Sequence, residues 1–514
     1  MRPTPRAPRY GGRVRSLALF VDGATGAGAC TILYDVDNLA PATDARAVDA
    51  PAVDADPSQV AVASIIPDTV DEGVGDDGGR PALLVLKGHN LVGTAVVTAT
   101  LDGGGAVQPV VVASDASPDG AELAVAIRIP VLTDLPAGQT RGLRLTVTQG
   151  GAMATIDATV TGLDELTLTG AVAAPAGPRR YARIDVTGAT HFHGTTAVQL
   201  VATAGVHLGA AVDVDAVGRT AGPGGCDGGA AEAEGGCTPG GGHHGTNAGT
   251  LGLANGGAGG GGGFGAQGTA GSGMGNGGSG DAVGNEWLVP LVGGIGTVEQ
   301  NRGNGGGGGG AGLLAAATGG VGGGGGGTLA LTVGGDLIVD GGGAIAATGG
   351  PGAAGGTNAA GGGGAGSGGA LLVRVGGQLT AAGVWLSAAP GTVATAPAND
   401  GGAGGVGRIR IDSPDGAVAA MATTPAPIRG PAWARTIPVV TTAAPPMRLT
   451  GQPGRSFALR VNGAAAGTEV IGADGSATPS LPLVRGTNQV CAVARAESLV
   501  DESLACIDLY LTAP

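Results

Sequence analysis

The chain has 514 residues, of which 110 are glycine, about three times the ~7% usual in soluble proteins. Aromatic residues make up 2% and charged residues 13%, so side chains for an ordinary enzyme pocket are scarce, while an apolar fraction of 42% excludes a wholly disordered chain. A net charge of −14, with Lys87 the sole lysine, leaves no basic stripe for nucleic acid and none for anionic lipid. The glycines keep no three-residue period and proline numbers only 31, which excludes collagen.

Residues 1–30 read as a degenerate signal peptide. Basic residues precede the apolar run Val14–Val21, and small residues from Gly23 to Ala29 lead to Cys30. This resembles a bacterial lipobox, which implies lipidation of Cys30 and attachment to a membrane through the lipid alone. An ordinary N-terminal tail with a free thiol is the competing reading. Residues 31–58 alternate Asp, Ala and Pro without an apolar period, the composition of a solvated tether.

Over 59–169, short β-prone runs recur between Gly, Asp and Pro turns: Val60–Ile66, Ala82–Leu86, Ala95–Leu101, Val107–Val112, Leu123–Ile129 and Leu143–Val147. That spacing predicts a β-sandwich. Ser64-Ile65-Ile66-Pro67, followed by Leu84 to Leu91 with Gly88 and Asn90, resembles the opening of an IPT/TIG immunoglobulin-like domain. The resemblance implies a spacing or interaction module without catalytic residues, with His89 as a turn residue.

Within 178–413, Thr328–Leu337 aligns with Ala370–Leu379 at an offset of 42, and Ala197–Val214 is an earlier related unit. Strands at a fixed period, joined by Gly-Gly turns, predict a parallel β-helix-like body. It loosely resembles glycine-rich β-helical repeats of secreted bacterial surface proteins. Ordering glycine costs roughly 0.5–1 kcal/mol more than ordering alanine. The runs therefore either stay as loops or pack as hydrogen-bonded extended chains. The apolar strands favour a rigid strand core with glycine runs partly ordered beside it.

Candidate chemistry is sparse. The spacing of Cys226, Cys237, His243 and His244 fits zinc poorly and a Cys226–Cys237 disulfide better. His191 and His193 share a strand face, and His207 could approach from the next coil as a third metal ligand, against the plainer reading of exposed strand residues. Asp185, Asp213 and Asp215 are the carboxylates that a polysaccharide-cleaving β-helix would use. Gly277–Asp281 nearly matches a calcium-binding nonapeptide but lacks tandem copies. G-x-G-x-x-G matches carry no weight in so glycine-rich a tract.

Residues 414–446, rich in Ala, Pro and Thr with little period, read as a linker or capping segment. Residues 447–514 predict a small β-sandwich with hairpin dipeptides Asn462-Gly463 and Asp474-Gly475, and with Cys491 and Cys506 joined across neighbouring strands. The whole is an all-β chain: an immunoglobulin-like sandwich, a glycine-rich β-helix-like body and a small terminal sandwich. Its expected role is that of a non-catalytic, exported protein of the bacterial surface, outer-membrane-anchored or extracellular. That role is structural or adhesive, with a surface polysaccharide or protein as ligand and with no cofactor. The rival is a carbohydrate-active β-helix, either a lyase or hydrolase or a polysaccharide-binding protein.

Overall fold

The computed structural model describes residues 59–512 apart from 104–106, 248–254, 290, 292–300, 304, 306–317, 357–358, 382, 397–398, 416–421, 435 and 496–500. Among the described residues every regular element is a strand. Cys30 and the tether lie outside them.

The first module is a sandwich of two four-stranded sheets. In one, Ala82–His89 lies between Ala61–Ile66 and Glu122–Arg128, with Val110–Ala116 at the edge; His89 therefore ends a strand. In the other, Ala152–Thr161 and Thr140–Gln149 run between Thr69–Asp71 and Val96–Leu101. Alternation turns Leu143, Leu145 and Val147 inward against Leu84, Leu86, Val125 and Ile127.

The body is a stack of parallel rungs in three ladders. One runs through Arg179–Tyr181, Val198–Ala202, Thr328–Val333, Ala370–Val375, Arg408–Asp412 and Ile428–Arg429. The other two share Leu166–Ala173 and Ile184–His193. From these, one continues through Val206–Leu208, Leu337–Val339 and Leu379–Ala381, the other through Ala211–Asp213, Ala344–Ala346, Val384–Ser387 and Ala422–Thr424. The interior is filled by Ile184, Val186, Leu331, Val373, Trp385 and Ile411, all nearly inaccessible to water. The register shows how the glycines enter. Ile184 pairs with Val206, 22 residues on. Thr328 pairs with Ala370, 42 on, and Ala370 with Arg408, 38 on. Between Val198 and Leu329 the step is 131. The surplus leaves the rung as an outgoing limb and comes back as a returning one.

These limbs form a lattice of extended chains. Along 256–264, successive amides point in three directions. Gly256, Gly259 and Gly262 donate to the carbonyls of Ala359, Gly362 and Ala365. Gly257, Gly260 and Gly263 donate to Thr246, His243 and Gly240; Ala258, Gly261 and Phe264 donate to Ser272, Thr269 and Ala266. The carbonyls of this limb accept from 277–283 and 402–405, which gives it five neighbours. A three-residue repeat is that of an extended threefold helix, which makes no hydrogen bonds within itself and leaves all its backbone groups for neighbours. Chains approach so closely that a Cβ on Gly260 would stand 1.9 Å from the oxygen of Gly278, and one on Gly366 1.9 Å from that of Gly324. Only glycine fits those positions.

The terminal sandwich pairs a five-stranded sheet, Val439–Val440, Asp501–Leu511, Gly486–Arg495, Ser456–Val461 and Ala464–Val470, with a small sheet of Ala432–Trp433, Leu449–Thr450 and Ser476–Ala477. Residues 283–291 join it to the body. Leu288 and Leu291 cover the outer side of the first ladder, while Trp287 and Val289 enter the terminal core beside Phe457. Beneath them the fully buried Arg410 donates to both carboxylate oxygens of Asp412 at 2.8 and 2.6 Å and to the Trp287 carbonyl at 2.7 Å.

Three boundaries differ from the sequence reading. The rungs start at Leu166, inside the expected 59–169 sandwich, because Leu-Thr-Leu-Thr alternation suits either sheet and parallel pairing with Ile184–His193 decides it. They continue beyond 413 to Arg429. The stretch 414–446 is no free linker: Ala422–Thr424 and Ile428–Arg429 are rungs, and Ala432–Trp433 and Val439–Val440 are strands of the terminal sandwich.

Substituting Gly260 by alanine is expected to destabilise the protein by about 3 kcal/mol or more through overpacking. Gly341→Ala, where a Cβ would meet nothing within 4 Å, is expected to stay within about 1 kcal/mol of wild type. Denaturant midpoints of the two variants compare them directly; equal midpoints would contradict the lattice.

Candidate functional site

Polar side chains collect on the outer face of the second and third ladders. Strand alternation fixes this. Ile184 and Val186 point inward, so Asp185 points out; Val206 and Leu208 do the same for His207, and Leu337 and Val339 for Ile338. Parallel pairing sets Asp185 beside His207. Asp340, at the corner after Leu337–Val339, takes His207 Nε2 at 2.8 Å, while Nδ1 lies 3.7 Å from Asp185. One imidazole is thus held between two carboxylates.

On the adjoining ladder His191 pairs with Asp213, and its Nδ1 hydrogen-bonds the Asp213 carboxylate. Asp215 follows, its carboxylate accepting the amide of Thr348. Burial pushes the Asp215 carboxyl above the ordinary aspartate range; the Thr348 amide pulls it back and the Asp213 charge adds to the rise. His193 is exposed at the end of the same strand.

The predicted metal ligands do not converge. His191 turns to Asp213 and His207 to Asp340 and Asp185. Among the described residues no group of three His, Cys, Asp or Glu side chains is arranged to hold a metal ion. Cys226 is bonded to Cys237, and His243 and His244 both face Glu234, at 3.0 and 2.7 Å. Gly277 and Gly280 of the nonapeptide-like run are lattice positions, where a Cβ would meet backbone oxygens at 1.9 and 2.0 Å. Asp340 and Glu234 escaped sequence reasoning because only the register and the limb packing bring them to their histidines. What the strip offers chemically is a row of hydrogen-bond acceptors and imidazoles open to water, suited to contacting hydroxyl groups.

Comparison with protein-family models, with curated proteins and with solved structures finds no match to this chain.

Asp215 makes a pH prediction. Its folded carboxyl is raised, so the folded chain takes up this proton before the unfolded chain does. The charged form therefore opposes folding at neutral pH, and the opposition fades as pH falls through the raised value toward ~3.9. Asp215→Asn keeps an acceptor for the Thr348 amide. It is expected to be more stable than wild type at pH 7, with the difference shrinking toward pH 4; denaturant titrations at the two pH values check both signs.

Proposed function

We propose that this chain is a non-catalytic, exported scaffold of the bacterial surface, tethered by a lipid on Cys30 and acting structurally or adhesively. The observation that carries the reading is the interlocked backbone of the glycine limbs. A lattice in which 256–264 bonds five neighbours suits a stiff body that holds other surfaces in place, and it offers few side chains for chemistry. Two disulfides, Cys226–Cys237 and Cys491–Cys506, fit an oxidising compartment outside the cytoplasm. The IPT/TIG-like resemblance of the first sandwich adds an interaction module. Its outer face carries the cross-strand row Thr98, Thr146 and Thr155, which supplies hydroxyls to a polysaccharide or protein ligand.

The Asp185–His207–Asp340 strip favours a second reading, a carbohydrate-active β-helix, since carboxylates are the groups that glycoside cleavage requires.

Fractionation of producing cells, with alkylation of free thiols and mass spectrometry of the mature N-terminus, tests the first reading. The expected result is envelope-bound or secreted protein with four cysteines protected and a lipid on Cys30; cytoplasmic protein with all five cysteines alkylated would overturn it. Release of reducing ends or unsaturated sugars from a polysaccharide panel, lost in Asp185→Asn or Asp340→Asn, would establish the second reading instead.

A further inference from the structure

The glycine limbs have two different ends. At one, Phe264 packs on the strand ladder beside Leu288 and Leu291. Eight steps away along 256–264, at ~3.1 Å per residue, Gly256 stands about 25 Å from the ladder. Several loops meet there. Thr246 donates its amide to Gly275, and Ser272 to Asp400; Asn399 Nδ2 reaches the Gly256 carbonyl at 2.6 Å, and Gly362 bonds the Asn399 carbonyl. The outgoing limb arrives at the same place, where Gly401 bonds Ala394. The described chain begins and ends elsewhere. Ala61 pairs with His89 in the first sandwich, and Thr512 bonds Asp115 of the same sheet at 2.5 Å.

Among the described residues, the side chains of this tip are mostly neutral and polar. Asn255, Ser272, Asn276 and Thr395 are exposed, and Met274 is 72% exposed. Two carboxylates stand among the described residues here: Asp400, whose Oδ1 already accepts the amide of Ala396, and Glu232, which accepts Asn247 Nδ2 beside Thr246 at 3.0 Å. None of these residues is Lys or Arg. Ser272 Oγ already donates to the Asp400 carbonyl and Asn276 Nδ2 to that of Gly271, which leaves their oxygens as acceptors beside the side-chain amide of Asn255 and the hydroxyl of Thr395. Such groups match the vicinal hydroxyls of a sugar, and an exposed thioether offers a contact for apolar C–H faces. Loops fixed on a rigid frame are where recognition is usually placed, and these loops sit on the hydrogen-bonded lattice.

We propose that the far tip of the glycine bundle, around Asn255, Ser272, Met274, Asn276 and Thr395, is a contact surface for an uncharged polysaccharide. This rests on the adhesive reading above and names its ligand class. With both described chain ends in the sandwiches, an anchor through Cys30 leaves the bundle tip free to face outward.

The test uses the intact protein and immobilised neutral polysaccharides (dextran, yeast mannan, galactan), with alginate and pectate as acidic probes. Wild type is expected to bind at least one neutral probe. Met274→Glu and the double variant Asn255→Ala/Thr395→Ala are expected to weaken that binding about tenfold or more without moving the melting temperature. Val470→Glu, on the exposed edge strand of the terminal sandwich, is expected to stay within about twofold of wild type. Tip variants that bind like wild type, or a Val470→Glu variant that loses binding, would overturn the tip assignment and leave adhesion standing. Binding confined to the acidic probes would overturn the ligand class. No binding to any probe would overturn the tip proposal, and would count against the adhesive reading itself if the protein also failed to adhere to whole cells.

Discussion

Everything in the body depends on how near two backbones can come when neither carries a Cβ. With carbonyl oxygens within 2 Å of where a Cβ on Gly260 or Gly366 would sit, a methyl group at either position would push limbs apart and break hydrogen bonds on several sides at once, whereas the fully buried Ala258 and Ala365 occupy other positions of the same limbs. The extended threefold conformation has no internal hydrogen bonds, so each limb is satisfied only by its neighbours, as a strand is within a sheet. The difference is that a strand has two bonding edges and these limbs have many, so the lattice grows in two directions. That is how a tract with few apolar side chains reaches order: hydrogen bonds made in three directions offset the conformational entropy that glycine loses.

The strand ladders and the lattice hold each other in register. Returning limbs 319–327, 361–369 and 401–407 run straight into the strands that begin at Thr328, Ala370 and Arg408, so the spacing of the rungs sets that of the limbs. The sandwiches are locked in at other points. The loop after Thr69–Asp71 knits into the rung corners, where Asp336 donates its amide to the Asp77 carbonyl at 2.7 Å and Thr203 its hydroxyl to that of Glu72 at 2.7 Å. The terminal sandwich is held by Trp287 and by the buried Arg410–Asp412 pair, and it covers the outer face of the first sheet, with Tyr510 packed on Val85 and Ala124. The three parts brace one another without a long linker among the described residues.

Strand alternation, the 42-residue offset, the Asn462-Gly463 hairpin turn and the 491–506 pairing could be read directly from residue order, because each is a local pattern; Asp474-Gly475 makes a turn but no hairpin, since Ala464–Val470 and Ser476–Ala477 on either side of it belong to different sheets. The lattice could not, for a physical reason. Interior limbs such as 322–327 are pure glycine, and a uniform run cannot display a period. The threefold repeat surfaces only on outer segments, where Gly265, Gly268 and Gly271, or Gly277 and Gly280, alternate with residues facing water. Ala370–Val373 reads as an unbroken apolar run because both faces of the strand are covered there, one by the rung interior and the other by Phe264, Leu288 and Leu291. Those covering residues lie between glycine tracts and show no signal of their own. Of the lateral strip, Asp185, His191, His207, Asp213 and Asp215 could be named from the sequence. Their partnerships could not, since His207 meets Asp340 across 133 positions.

Hydrogen exchange resolved to single residues is the most direct measurement of whether the glycine limbs are a structured solid. Amides of 256–264 and 361–369 should be protected to within about tenfold of those in strands Thr328–Val333 and Ala370–Val375. Complete exchange of the limbs within seconds at neutral pH, with the strands still protected, would mean that the glycines are loops around a β-helix and that the lattice does not exist.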